Sequence, residues 1–241
     1  MILDIYKDSF EFASRKFSIL LILGVLSFFH ILIIPAVFFY GYNYRVVKLS
    51  TQSMINEDVA PPNFDDFKQM FIDGLKFIIV VLCYLIVPII IIAAAVYGGS
   101  LNMILLVIGI ILLFIARLFS YLAIPCMAAN DDSLKSAFAL SEINKIMASI
   151  GYVRYIVTYL GIVIISAMIF VTVFLILTFI FGILGITVGN LYIGLIGTII
   201  MNLVLLFIVS PYLSLFQNRC AGLIYNIGSE LILTSSYYFL Y

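Results

Sequence analysis

Few side chains in this sequence could do chemistry, and they lie far apart. The thiols Cys83, Cys126 and Cys220 share no Cys-x-x-Cys spacing, and His30 is the single histidine. A zinc site needs four neighbouring N, S or O ligands, or three and a water. No metal site is expected, and the thiols read as small hydrophobes. A proton relay through His30 would need a second titratable group at its depth, and none is evident, so His30 reads as buried and neutral. Asp65, Asp66 and Asp73 with Lys76 form the densest charge group. Two readings stay open there. One is a capped, solvated helix face with acids at its dipole-favoured start. The other pairs Asp73 and Lys76 with Arg45 or with a partner subunit at the membrane surface. The apolar segments hold no acid, and there is no Walker, Gly-x-Ser-x-Gly or His-Glu-x-x-His pattern. Hydrolysis or group transfer needs a nucleophile with a base, paired carboxylates or metal ligands. Catalysis is therefore not expected, and neither catalytic residues nor a cofactor are assigned.

The elements that would position these groups follow from composition. Of 241 residues, 65% are hydrophobic and 10% charged, with a mean hydropathy of +1.27. A soluble domain is about 45–50% apolar and about 25% charged, so a water-soluble core could not hide this surface. The chain reads as a polytopic membrane protein. Lys and Arg total 12, as do Asp and Glu, which leaves no basic excess to neutralise phosphates and argues against nucleic acid as a partner. Charges mixed into the first turns, with no A-x-A pattern after the apolar run, argue against a cleavable signal peptide.

Four apolar stretches, 75–97, 101–124, 153–183 and 191–216, reach the ~20 residues that cross a bilayer core. The connectors Gly98-Gly99-Ser100 and 185–190 carry no charge, while every Lys and Arg lies elsewhere. Cytoplasmic loops concentrate Lys and Arg, so the connectors are expected outside and both termini in the cytoplasm. The apolar segment 17–44 has basic residues on both flanks and Pro35 within it. A re-entrant hairpin over 17–50, entering and leaving on the cytoplasmic side, fits this better than a fifth span with inverted charge bias. Amphipathic patterns at 2–17, 63–76 and 133–150 predict three interfacial helices. In the first, Asp4, Asp8, Glu11 and Arg15 form the polar face. In the second, Asn63 is a candidate cap with Asp66 as its capping partner. In the third, Asp131-Asp132-Ser133 makes an acidic start.

The expected fold is all-α. It is an integral membrane helix bundle forming one membrane domain over 1–228, with a C-terminal tail at 229–241. Two-span hairpins occupy 75–128 and 153–216. Each amphipathic helix precedes a membrane-inserted unit, a layout of three approximate modules.

Ionisable or polar residues inside spans are functional candidates by default. Arg117 falls ~24 Å along its span in a core ~30 Å thick, within snorkelling reach of the cytoplasmic surface, and reads as an anchor there or as part of a cavity or lipid-headgroup site. Arg219 and Arg45 read as further anchors or contacts to anionic headgroups. Asn202 falls ~17 Å along the last span, near mid-bilayer, where an interhelical hydrogen bond is expected, with Gly194 and Thr198 allowing close approach. Pro88, Pro125 and Pro211 read as bends.

Several stretches resemble a known family. Phe64-Asp65-Asp66-Phe67, Phe71-Ile72-Asp73-Gly74-Leu75-Lys76, Gly41-Tyr42-Asn43-Tyr44-Arg45-Val46-Val47, the region 137–156 and the run from Tyr212 through Arg219 to Tyr225 resemble uncharacterised, mostly methanogen-derived archaeal membrane proteins. These are grouped as domain-of-unknown-function family four-zero-one-three. The resemblance spans roughly residues 10–228. It implies an archaeal cytoplasmic membrane and a multi-helix fold, and it carries no activity. The leading expectation is a non-catalytic scaffold, accessory or bilayer-organising protein, with membrane lipids as partners and other membrane proteins or self-association open. The alternative is a transporter or channel for small solutes or lipid-like substrates, with a pathway near Asn202.

Overall fold

A computed structural model describes residues 2–98, 102–188 and 191–238. These residues form ten α-helices and a π-helical turn, with no strand among them. The helices are α1 (Ile2–Ser14), α2 (Phe17–Phe28), α3 (Ile33–Thr51), α4 (Phe67–Tyr97), α5 (Met103–Ala129), α6 (Leu134–Ala137), α7 (Leu140–Ile150), α8 (Tyr152–Val188), α9 (Leu191–Val204) and α10 (Ser210–Tyr238). Four segments are long and apolar enough to span a membrane: α4, α5, Tyr152–Leu184 within α8, and Leu195–Thr234 running through α9 and α10. Most of their side chains face outward, a surface of Ile, Leu, Val and Phe that lipid accepts and water does not.

The apolar segment 17–44 is covered by two helices, α2 and the first part of α3. The chain turns at residues 29–32, where Phe29, His30 and Leu32 donate their N–H groups to Val25, Ser27 and Phe29. Pro35 falls in the first turn of α3, where a missing N–H costs nothing. It therefore opens the second helix and does not break the first.

Two expected interfacial helices change shape. The pattern at 63–76 is the start of the α4 span itself: Pro61 and Pro62 hold the approach extended, and the helix begins at Phe67. Its cap is Asp66, at a left-handed φ of 42°, whose carboxylate accepts from Gln69 N–H, and not Asn63. The pattern at 133–150 divides into α6 and α7. Gly151, at φ +92°, then redirects the chain into α8. Residues 229–238 continue α10 and form no separate tail. Of the two expected connectors, residues 99–100 and 189–190 lie outside the described residues, while 185–188 belong to the last turn of α8.

α5 runs through Pro125, and α4 through Pro88. Before Pro211 the last span instead widens into the π-helical turn Leu205–Val209, a common way to absorb a proline's missing donor and ring clash.

The core gathers around α10. α3 lies beside it in the same sense, with Asn43 near Ser214 and Asn226 reaching Ser53. α1 lies beside it in the opposite sense, with Phe10 stacked on Phe216 at 4.2 Å and Cys220 near Ser9. α3 also crosses α4 at Gly41 and Gly74, where backbone nearly touches backbone: a Cβ at Gly41 would collide with the Met70 carbonyl, and one at Gly74 with the Val37 carbonyl.

Candidate functional site: a polar cavity and the charged end

Three groups of polar residues lie within the bundle. The first is an ion pair in the core. Arg219 is fully buried, and its Nε donates to Asp8 Oδ1 at 2.8 Å and its Nη2 to Oδ2 at 3.4 Å. The Asn56 N–H adds a third hydrogen bond to Asp8 Oδ2 at 2.7 Å, and the guanidinium lies 5.0 Å from the Phe12 ring centre. Arg219 Nη1 has no partner among the described residues. Arg219 is therefore enclosed against α1, out of reach of headgroups. Asp8, expected on the polar face, lies on the buried face with Ile5, Ser9 and Phe12.

The second group clamps the loop and turn at the charged end. Arg45 donates to the carbonyl and carboxylate of Asp65 at 2.7 and 3.0 Å and to the Asp66 carbonyl at 2.9 Å. Tyr42 donates to Pro62 O, Arg15 pairs with Asp58 at 2.6 Å, and Lys16 donates to Asn63. Asp132, at φ 57°, receives Tyr44 Oη at 2.7 Å and Lys48 Nζ at 2.6 Å, while its own carbonyl takes Lys76 Nζ at 2.9 Å. One residue thereby joins α3, α4 and the turn after α5. Burial raises the Asp132 carboxyl pKa, but the hydrogen bonds from Lys48 and Tyr44 and the Lys76 charge outweigh it and hold the group below its ordinary value. Burial, and donation to that carboxylate, push the Tyr44 phenol up. The expected pairing of Asp73 and Lys76 with Arg45 is not what forms. Asp73 is buried and takes Gln69 Nε2 at 2.7 Å, Lys76 goes to Asp132, and Arg45 goes to Asp65.

The third group lines a half-open cavity of about 250 Å³ between α3, α4, α5, α8 and α10. Tyr40, Asn43, Arg117, Tyr159, Gln217 and Asn218 contribute its polar atoms. The walls are braced by their own bonds: Tyr121 donates to Gln217 O at 2.7 Å, Gln217 Nε2 to Ser166 Oγ at 3.0 Å, and Ser214 Oγ to Asn43 Oδ1 at 2.9 Å. Arg117 is exposed at the cavity edge, and its guanidinium makes no hydrogen bond or ion pair with the described residues.

Asn202 is not part of this site. It is exposed, its amide donates to Thr198 O one turn earlier on its own helix, and it makes no interhelical hydrogen bond to the described residues. The side-chain surroundings of Gly194 lie outside the described residues. His30 is half-buried against Phe39 and Tyr40.

Sequence reasoning missed the enclosure of Asp8, the contacts of Tyr44 and Asp132, and the cavity walls other than Arg117. Ile5-Asp8-Ser9-Phe12 and Phe216-Arg219-Cys220-Leu223 each recur at helical spacing on a stripe otherwise apolar, and that was the available signal for the buried pair.

An all-helical chain with four apolar spans and its polar groups gathered inside the bundle and at one end is a multi-pass membrane protein. It belongs to a family described as "Protein of unknown function (DUF4013)", whose model matches residues 28–181. That match covers α3 to most of α8 and leaves α1 and α10 outside it. No curated protein and no solved structure matches the chain.

Proposed function

We propose that the chain is a non-catalytic scaffold or bilayer-organising protein of the cytoplasmic membrane, working from the cytoplasmic leaflet. The carrying observation is the end of the α2–α3 hairpin. Phe28, Phe29, Ile31, Leu32, Ile33 and Ile34 all stand exposed there, Ile31 at 93%. α2 is 12 residues long, or ~18 Å, against a hydrocarbon core of ~30 Å. An apolar tip on so short a helix suits a wedge that enters one leaflet and returns. The turn's own hydrogen bonds satisfy three of its donors, which lipid demands.

Charge supports the orientation. Arg15, Lys16, Arg45, Lys48 and Lys76 all take part in the clamps of the charged end, and basic residues favour the cytoplasmic side. Bilayer lipids are the first partners in this reading, with another membrane protein or a second copy on the charged end as further ones. The carrier alternative has less to support it, since the Asn202 amide donates within its own helix.

The test uses the full chain carrying Cys83→Ala and Ile31→Cys, reconstituted in vesicles. A membrane-impermeant maleimide should leave the thiol introduced at the hairpin tip unlabelled from both sides until detergent is added. Labelling from the side of the 98–102 connector would mean a full crossing, and the wedge reading would fail.

A further inference from the structure

Arg117 is a permanent cation with no acid beside it. The cavity it borders is lined by no Asp or Glu among the described residues, and the guanidinium has neither an ion pair nor a hydrogen bond there. Around it are donors held in place and left unused. Asn43 is 1% exposed, and its Oδ1 accepts from Ser214 while its amide nitrogen donates to none of the described residues. Tyr40 and Tyr159 line the same space, and their hydroxyls make no hydrogen bond to the described residues. Gln217 and Asn218 bring neutral amide oxygens to the same space, but a cation and several donors converge there with no carboxylate to balance the charge, which favours an anion.

The approach to this place is apolar. α5 and α8 do not pack backbone to backbone beside it. They meet through Tyr121 on Tyr159, Phe114 on Tyr159, and Tyr155 Oη on the Leu118 carbonyl. On the outer surface of those helices, Phe114, Ile115, Leu160 and Val163 are exposed where lipid runs. The cavity's 250 Å³ falls under the ~300–1,000 Å³ of sites that enclose a whole drug-sized ligand. It has room for a headgroup, and the acyl chains would stay outside along α5 and α8.

We propose that this cavity binds the phosphate of an anionic amphiphile, with Arg117 as its charge partner and Asn43, Tyr40 and Tyr159 as hydrogen-bond donors. The inference needs the chain to sit in a bilayer, but it does not depend on the wedge at residues 28–34, so either can fail alone.

The experiment is native mass spectrometry of the full chain in neutral detergent. The probes are phosphatidylglycerol, phosphatidylcholine of the same chain length, and inorganic phosphate. The wild-type chain is expected to hold phosphatidylglycerol about tenfold more tightly than phosphatidylcholine, and Arg117→Gln to remove that preference. Tyr159→Phe removes one hydroxyl and leaves the fold intact, and should weaken phosphatidylglycerol by about threefold. Retention of phosphatidylglycerol without inorganic phosphate assigns the anion to a lipid. Retention of inorganic phosphate alone assigns the same phosphate chemistry to a soluble anion and overturns the amphiphile. Equal binding of the two lipids by the wild-type chain, or an unchanged preference in Arg117→Gln, overturns the site.

Discussion

Removing Asp8 tests how the core is held. In the folded chain its carboxylate accepts from Arg219 Nε and Nη2 and from the Asn56 N–H. Asp8→Ala would strand those three donors beside Arg219 Nη1, which already lacks a partner among the described residues. Each stranded donor costs ~1–3 kcal/mol before relaxation, and breaking a buried pair from one side costs ~3–5 kcal/mol in total. Arg219→Met removes the orphan nitrogen along with the charge and keeps contact with Phe12, while Asp8 retains only the Asn56 N–H. The double variant Asp8→Leu, Arg219→Met should recover most of the loss, because replacing a buried pair with apolar groups of similar volume is often neutral. The assay is urea unfolding in a mild detergent followed by circular dichroism, run on the wild type, the two single variants and the double variant. A loss below ~1 kcal/mol for Asp8→Ala, the size of an exposed pair, would refute the reasoning.

Other perturbations follow from the same geometry. Asp132 has its folded pKa held below its unfolded value, so its contribution is full above about pH 4 and fades as pH falls through the folded value. Asp132→Asn should flatten that acid limb in a pH series of unfolding midpoints and leave the neutral-to-alkaline shape alone. Arg45→Lys keeps the charge but loses the fork that spans Asp65 and Asp66, so limited proteolysis should cut within residues 52–66 faster than in the wild type. Gly182→Ala, with open space where its Cβ would go, should be neutral or gain up to ~1 kcal/mol in the same unfolding assay.

The spans were legible because crossing a bilayer is a matter of apolar length, and length is written in the sequence. Depth and partner were not. Asp4, Asp8 and Glu11 look alike in a helical repeat, yet Asp4 and Glu11 are exposed while Asp8 is enclosed by α10. Only the docking of a helix some 200 residues away decides that. Arg219 was misplaced for the same reason, since a span's apolar end looks like a surface when the next helix to cover it comes from the N-terminus. Asp131-Asp132-Ser133 reads locally as a helix start. A helix does begin there, α6 at Leu134, but the left-handed backbone also turns Asp132 back onto Tyr44 and Lys48, and only the fold brings those residues near. The amphipathic pattern at 63–76 was real, but periodicity cannot show whether an amphipathic turn stops at the interface or runs on into the span, as α4 does.

Two of the stretches that carry the family resemblance, 41–47 and 71–76, touch each other in the structure, and this gives the motif a physical meaning. Gly41 and Gly74 allow α3 and α4 to cross with backbone in contact, and Lys76 then reaches the turn after α5 through the Asp132 carbonyl. The same helices carry Tyr40, Asn43, Phe77 and Val81 into the wall of the Arg117 cavity. The motif thus fixes the cavity's shape without supplying its charge. Gly74→Ala should cost ~1–3 kcal/mol, because the colliding atom is a backbone carbonyl that cannot swing aside. It should also weaken phosphatidylglycerol binding, although residue 74 does not line the cavity, because forcing α3 from α4 moves Tyr40 and Asn43 away from Arg117. A Gly74→Ala chain that unfolds more easily yet keeps full lipid preference would show that the crossing serves stability alone and that the cavity is shaped by α5, α8 and α10.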